Sequence, residues 1–299
     1  MTRLVKLALT ETSNVYEPMP TTVDRLPDLS DRLDEIRETN LDHHVELMTA
    51  AQKEGVQIIG FGELFAAPYF ALDRHAFWRN LAESAEDGPT ISRLSAEARR
   101  NSMVIVAPIY ELDESTGQRF NTTVVIDSDG ERIGSYRKCH IPEGKNETGA
   151  FHETFYYEKG NQKPTLPVFA TRVARVGVST CYDRHFEGVV SGLTQRGAEI
   201  IFSPAVTFGE KSERLWPLEF PVDAARHRVY IAGSNRRGAE PPWNTEYFGQ
   251  SYVCGPGGVL PNTSHHPNLV VSEVDLDRLQ GRDSAGWNFT RDRRDDLKD

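Results

Sequence analysis

Three side chains of this chain are of the types that together attack a carbonyl-like carbon and expel an amine: Glu63, Lys138 and Cys181. Such a set supplies a base, a cation and a nucleophile. Cys181 lies within RVGVSTCYDRHFEG, residues 175–188. This stretch starts as a strand on the β-branched Val176 and Val178, turns at 180–183, and reads as a helix from about 185 to 195. The cysteine is therefore expected where a buried strand stops and a helix begins, beside backbone N–H groups without helical partners. Those groups and the helix dipole favour a thiolate, the nucleophilic form. Most free cysteines are small buried core residues, so Cys181 alone decides nothing. Glu63 ends the apolar run VQIIGFGE, where loss of hydration strengthens a carboxylate as acceptor of a thiol proton. Lys138 ends another strand, placed to stabilise an oxyanion or to pair with Glu63. A lone strand-end carboxylate or lysine is usually a solvated surface group. The three matter as a set, and if their strands shared one sheet their ends would face one edge, where α/β sheets place ligands.

The elements that must position them read in order. Residues 4–9 form a short strand, followed by a loop with Pro18, Pro20 and Pro27. Apolar residues Leu33, Ile36, Leu41, Val45 and Met48 recur at helical spacing within 31–54, and Gly55 ends that helix. A strand over 56–63 and a helix opened by Gly88 and Pro89 come next. The run MVIVAPIY is a buried strand, and RFNTTVVIDSDGERIGSYRK is a hairpin turning at Ser128, Asp129 and Gly130. Residues 143–163 form a long polar insert. Past Cys181, AEIIFSP is a strand stopped by its proline. A helix over about 212–228 tolerates Pro217 and Pro221 only with a late start or a kink. Residues 229–233, FGQSYVCGPGG and PNLVVSEVDLD complete the strands, and the charge-rich tail 281–299 reads as extended. This alternation predicts an α/β sandwich of mixed sheets, carried by a single domain spanning 1–299. Strand–helix–strand order recurs in both halves, which hints at an internal duplication.

Composition narrows the partners. The chain has 299 residues, with 44 acidic against 34 basic side chains, a formal charge of -10. That balance argues against a nucleic-acid groove or an anionic membrane surface as main partner. The sequence has no apolar run of membrane-spanning length and no signal peptide. Cys139, Cys181 and Cys254 are too scattered for a disulfide framework. There is no CxxC or HExxH spacing, and His227, His265 and His266 lack partners at metal spacing, so no metal site is expected. A cytoplasmic globular protein with a small-molecule substrate fits these features.

The segments GELFAAPYF around Glu63, YRKCHIP around Lys138 and GVSTCYDRHFEG around Cys181 resemble the three signature segments of the nitrilase (carbon–nitrogen hydrolase) superfamily, in the same order. The resemblance extends through GAEIIFSPAVTF, RLWPLEFPVDAARHRVYIAGSNRRG, FGQSYVCGP and the late WNF, nearly the whole chain. Those later segments are most similar to β-ureidopropionase-like N-carbamoyl amino acid amidohydrolases. The resemblance implies a four-layer α-β-β-α sandwich, no cofactor, a Glu63–Lys138–Cys181 triad, and a homo-oligomer of dimers or larger packed through helices near Cys181. It also implies a second active-site glutamate at Glu153, otherwise a loop residue within FHETFYYEKGN.

Three positions after the cysteine stands Arg184. In the resembled N-carbamoyl amino acid hydrolases an arginine here looks like a clamp for the substrate carboxylate, and a guanidinium grips a carboxylate in bidentate fashion. Carbamoylputrescine amidases look similar through much of the chain, but their cationic substrate tail does not suit such a clamp. The bland alternative for Arg184 is a structural ion pair with Asp183 or Glu187. Tyr182, His185 and His140 flank the triad as further candidates for substrate contact, although lone histidines near a site are usually structural. Asn235, in GSNRRG, is a candidate for the pocket or an interface, whereas Trp216, Trp243 and Tyr252 suit a core or interface. The expected activity is hydrolysis of an N-carbamoyl amino acid such as N-carbamoyl-β-alanine. The alternatives are another amidase of this superfamily acting on a carboxylated ω-amide and a non-catalytic ligand-binding member. The insert over 143–153 lies beside the expected site and bears on specificity.

Overall fold

The computed structural model describes residues 2–280 together with 285–287, 289, 291, 292 and 294. In chain order it has β1 (Leu4–Thr10), α1 (Leu33–Lys53), β2 (Ile58–Gly60), α2 (Pro89–Asn101), β3 (Val104–Asp113), β4 (Gln118–Ile126) and β5 (Arg132–Arg137). A small hairpin, β6 (Glu143–Lys145) and β7 (Ala150–His152), and the short α3 (Glu153–Tyr156) follow. The second half holds β8 (Phe169–Ala170), β9 (Arg175–Val178), α4 (Glu187–Gln195), β10 (Ile200–Ala205), α5 (Glu210–His227) and β11 (Tyr230–Asn235). It ends with β12 (Arg237–Glu240), β13 (Thr245–Phe248), β14 (Tyr252–Gly255), β15 (Gly258–Val259) and β16 (Leu269–Asp275).

Among the described residues these strands form two six-stranded sheets, ordered β16-β1-β2-β3-β4-β5 and β15-β14-β11-β10-β9-β8. Each has three parallel strands at its centre, β1-β2-β3 and β9-β10-β11, continued by an antiparallel partner, β4 or β14. The two halves thus repeat one βαβαββ order, as the recurring strand–helix–strand pattern suggested. β16 returns antiparallel to β1 from Leu4↔Asp275 to Thr10↔Leu269, so the end of the chain is stitched to its beginning.

The period-two alternation of side chains decides the layers. Val5, Leu7 and Leu9, with Ile58, Val104, Val106 and Val125, pack against Val176, Val178, Ile200, Phe202, Ala232 and Val253 of the other sheet. Their neighbours Ala8, Ile59, Ile105 and Ala107 turn the other way, onto Leu41 and Met48 of α1 and Ile91 and Leu94 of α2. Ile201, Ile231 and Cys254 of the second sheet do the same toward Val190 and Leu193 of α4 and Trp216 and Phe220 of α5. The order is helix, sheet, sheet, helix. Between the sheets Gly60 faces Phe202, and a methyl at Gly60 would overlap that ring. Gly60→Ala is expected to destabilise the fold by about 1–3 kcal/mol through overpacking, read as a lowered urea midpoint with an unchanged slope.

Several elements differ from the sequence reading. β10 passes through Pro204, because beyond Phe202 only β11 pairs with it and an edge without a partner needs no N–H. α5 begins at Glu210, not late, and carries Pro217 and Pro221 inside. Its buried stripe Trp216, Phe220 and Ala224 anchors it against the second sheet, so tertiary packing outweighs the two lost backbone bonds. The first part of the polar insert folds as the β6/β7 hairpin and α3, so Glu153, otherwise read as a loop residue, opens a short helix. The extended tail expected over 281–299 falls largely outside the described residues. No described helix is long and apolar enough to cross a membrane.

Candidate active site

Glu63 and Lys138 come from the first sheet and Cys181 from the second, so the condition that their strands share one sheet is not met. The site forms because the two sheets face each other, which brings the loop after β2 and the end of β5 against the turn after β9. At its centre is the Lys138 ammonium, fully buried. It donates to Glu63 Oε1 at 2.8 Å and to Glu153 Oε2 at 2.7 Å. Burial alone would pull this ammonium down; the Glu153 and Glu63 charges reverse that and hold it above its ordinary value. Glu63 also accepts from Asn121 Nδ2 at 2.7 Å and, on its other oxygen, from the Val206 backbone N–H at 2.9 Å. Three donors of fixed direction thus set its plane. Glu153 opens α3, is buried, and accepts from the Tyr69 hydroxyl at 2.7 Å. Burial, helped by the Glu63 charge and opposed by Lys138, pushes its carboxyl up to about 7.

Cys181 follows β9 with a left-handed φ of 49°, a conformation uncommon for a residue with a side chain. The thiol so placed meets the Val206 carbonyl and the Arg184 guanidinium. Here an expectation fails. Cys181 begins a 3-10 turn, Cys181–His185, and the α-helix starts only at Glu187. The helix N-terminus therefore lies several residues away, beyond the range over which its dipole acts strongly. The thiol is 6% exposed. Burial, and next the Glu63 charge, push it up to about 12 against the pull of Lys138 and Arg184. At rest this group is a thiol, so to act as a nucleophile it has to give up its proton. The backbone of Val206 lies between it and the acceptor: its carbonyl faces Cys181 Sγ at 3.8 Å while its N–H, in the preceding peptide unit, holds Glu63.

Arg184 is buried with its Nη1 on the Cys181 carbonyl at 2.9 Å and 3.8 Å from Cys181 Sγ, and its Nη2 on Thr207 Oγ1 at 3.3 Å. Its charge is opposed neither by Asp183 nor by Glu187 but by Glu219 of α5, Nε to Oε2 at 3.3 Å. That approach is not aligned as a hydrogen bond. His185 Nδ1 meets the other oxygen of Glu219 at 2.7 Å. His140 is engaged away from the triad: its Nδ1 and backbone N–H both meet Asp183 Oδ1, at 2.7 and 2.9 Å, and its ring stacks on Phe186. Asp183 further accepts from the Tyr136 hydroxyl at 2.6 Å. His140 thus braces the segment after Lys138 to the Cys181 turn. Tyr182 is exposed and packs edge-on against His185 and Phe186. Among these four candidates, Arg184 approaches the sulfur.

Sequence reasoning missed Asn121, Tyr69, Val206 and Glu219. Tyr69 had a signal, standing in GELFAAPYF with Glu63. Asn121, inside β4, and Val206, just past the end of β10, had none. Asn235, noted only as a pocket candidate, fixes the segment after β10 by exchanging hydrogen bonds with the Thr207 backbone, 2.9 Å from its N–H and 3.3 Å to its carbonyl. Among the described residues no His, Cys, Asp and Glu cluster is arranged to hold a metal. The arrangement holds the parts that acyl transfer requires: a thiol, a carboxylate able to take its proton, and a buried cation able to stabilise an oxyanion.

The sequence profile of the carbon–nitrogen hydrolase family matches residues 34–282. An N-carbamoylputrescine amidase of Solanum tuberosum is 31% identical, over 87% of this chain and 88% of that protein. A beta-ureidopropionase of Arabidopsis thaliana is 32% identical, over 82% of this chain and 62% of that protein. The crystal structure of a carbon-nitrogen hydrolase from Helicobacter pylori G27 superposes with a TM-score of 0.81 at 22% identity, covering 98% of this chain and 97% of the other. With that profile spanning both halves of the sheet pair, this chain belongs to the carbon–nitrogen hydrolase family.

Proposed function

We propose that this chain hydrolyses the carbamoyl C–N bond of a small N-carbamoyl compound, acting through Cys181. The carrying observation is the buried Glu63–Lys138–Glu153 cluster set against the Cys181 thiol across the Val206 backbone, whose N–H meets Glu63 and whose carbonyl meets the sulfur. Glu63 takes the thiol proton as sulfur adds to the carbamoyl carbon, and Lys138 with a backbone N–H stabilises the oxyanion. The proton passes to the departing nitrogen and ammonia leaves, which gives an S-acyl enzyme. Water activated by Glu63, beside Glu153, then releases a carbamate that loses carbon dioxide. The reaction needs no cofactor. The chain works as one hydrolase domain in a homo-oligomer, a reading supported by the exposed Leu218 and Val222, one turn apart on α5.

The substrate we favour is an N-carbamoyl amino acid, because the Arg184 guanidinium lies 3.8 Å from the sulfur and would seat a carboxylate beside the reacting carbon. A second reading, an N-carbamoyl amine, is favoured by Glu219, which already opposes the Arg184 charge, and by the similarity to carbamoylputrescine amidases. Kinetics on N-carbamoyl-β-alanine, its methyl ester and N-carbamoylputrescine separate them. On the first reading the acid is preferred over the ester, and Arg184→Lys lowers kcat/KM for the acid about ten- to a hundred-fold, the cost of one charge-assisted bond. The same substitution then leaves the amine nearly unaffected. Equal rates on acid and ester, with Arg184→Lys affecting both alike, would remove the carboxylate reading.

A further inference from the structure

We propose that the buried Arg236–Glu240 ion pair is the positioning element of the site, fixing both carboxylates that flank Lys138. The two side chains are 3% and 1% exposed and bonded to each other. Arg236 immediately precedes β12 and Glu240 ends it. From Arg236, Nη2 alone donates to three carbonyls of that loop: Glu63 at 3.2 Å, Leu64 at 2.9 Å and Ala67 at 2.7 Å. Leu64 has a left-handed φ of 52°, so the loop is held in a bend that a leucine does not favour unaided. Carbonyls turned inward by that bend require a buried donor, and the guanidinium supplies it.

Glu240 extends the grip to the second carboxylate. It accepts the Tyr69 backbone N–H at 2.9 Å and the Asn14 N–H at 2.7 Å. The Tyr69 hydroxyl in turn donates to Glu153 Oε1 at 2.7 Å. One ion pair therefore sets the backbone from which Glu63 projects and the tyrosine that orients Glu153. Arg236 and Glu240 touch no reacting atom in this account, so their role is positioning. A planar five-donor fork suits a task in which one nitrogen serves three carbonyls and another meets the carboxylate. Lysine could satisfy only part of it.

The inference deepens the hydrolase reading, and its test does not depend on turnover. Alkylation of Cys181 by iodoacetamide, followed by peptide mass spectrometry against pH, reports how Glu63, Lys138, Glu153 and Arg184 are arranged around the thiol. Arg236→Lys and Glu240→Gln in the full-length protein are expected to slow Cys181 alkylation near neutrality by about ten- to a hundred-fold, the cost of a misplaced base. The pH profile should move with it. Glu199→Gln, which breaks the remote Arg3–Glu199 pair, serves as a stability control and should lower the Tm while keeping the wild-type profile. Should both variants fail to fold, Tyr69→Phe replaces them, since it severs only the hydroxyl end of the link, and it should move the profile in the same direction. Folded Arg236→Lys and Glu240→Gln, or Tyr69→Phe in their place, with the wild-type profile would overturn the proposal. For a hydrolysed N-carbamoyl substrate, kcat should fall with KM within about twofold. If the wild type hydrolyses none while the alkylation profiles still separate, the functional reading fails and the positioning role stands.

Discussion

Cys181→Ala is expected to remove turnover, by on the order of 10⁴–10⁶-fold as for loss of the nucleophile in other acyl-transfer enzymes, while leaving the fold intact. Cys139→Ala and Cys254→Ala should keep activity. The distinction is geometric. Cys254 sits in the core between the second sheet and α5. Cys139 is half-buried and its sulfur faces the carbonyls of Arg137 and Thr165. Only Cys181 stands at the turn opposite Lys138 and Glu63, on a left-handed backbone. Steady-state assays of the three variants with matched melting curves check this. More than trace activity in Cys181→Ala would remove the thiol chemistry.

Lys138→Met is expected to damage both rate and stability. The ammonium lies between two buried carboxylates at 2.8 and 2.7 Å, and removing one partner of a buried ion pair typically costs about 3–5 kcal/mol. Loss of the oxyanion donor should lower kcat a further 10²–10³-fold or about that. The pH dependence follows from Glu153. Its carboxyl is already raised from an ordinary 4.5 to about 7 in the folded protein, so folding favours its protonated form. For a carboxyl raised on folding, stability is fully present below the unfolded value and is lost as pH rises through the folded one. Without Lys138 to oppose burial and the Glu63 charge, the folded value rises further. The part of the Lys138→Met stability deficit that comes from Glu153 should therefore open as pH rises above about 7, where only the wild-type carboxyl ionises, and close again as pH falls back to 7, staying level from there toward 4.5. Denaturant titrations at several pH values measure it, and a deficit that grows on acidification would contradict this electrostatic account.

How much of this was legible in the sequence depends on the range of the interactions. The strands around Glu63, Lys138 and Cys181 were, since each is a short run of β-branched and apolar residues with a polar end. Their assembly was not. Whether two strands share a sheet depends on crossovers such as the return of β16 to β1, and nothing local in VQIIGFGE or RVGVSTC records it. Glu153 carried no periodic signal of its own, and its burial arises from Lys138 and Tyr69, 15 and 84 residues away. The Cys181 thiol was read as favoured toward thiolate because turn and helix look continuous in CYDRHFEG. The intervening 3-10 turn displaces the helix, and burial then dominates. The Glu219 partner of Arg184 was hidden for the same reason as Asn121: an ion pair across 35 residues of chain leaves no spacing rule behind.

The central claim, that Cys181 forms a covalent acyl intermediate, is tested most directly by acid-quenching the wild-type protein during turnover of an N-carbamoyl substrate and weighing its peptides. The account predicts an adduct on the Cys181 peptide alone, heavier by the mass of the substrate less ammonia and absent in Cys181→Ala. Substrate consumed with no adduct at any quench time, or an adduct on Cys139 or Cys254 instead, would contradict it.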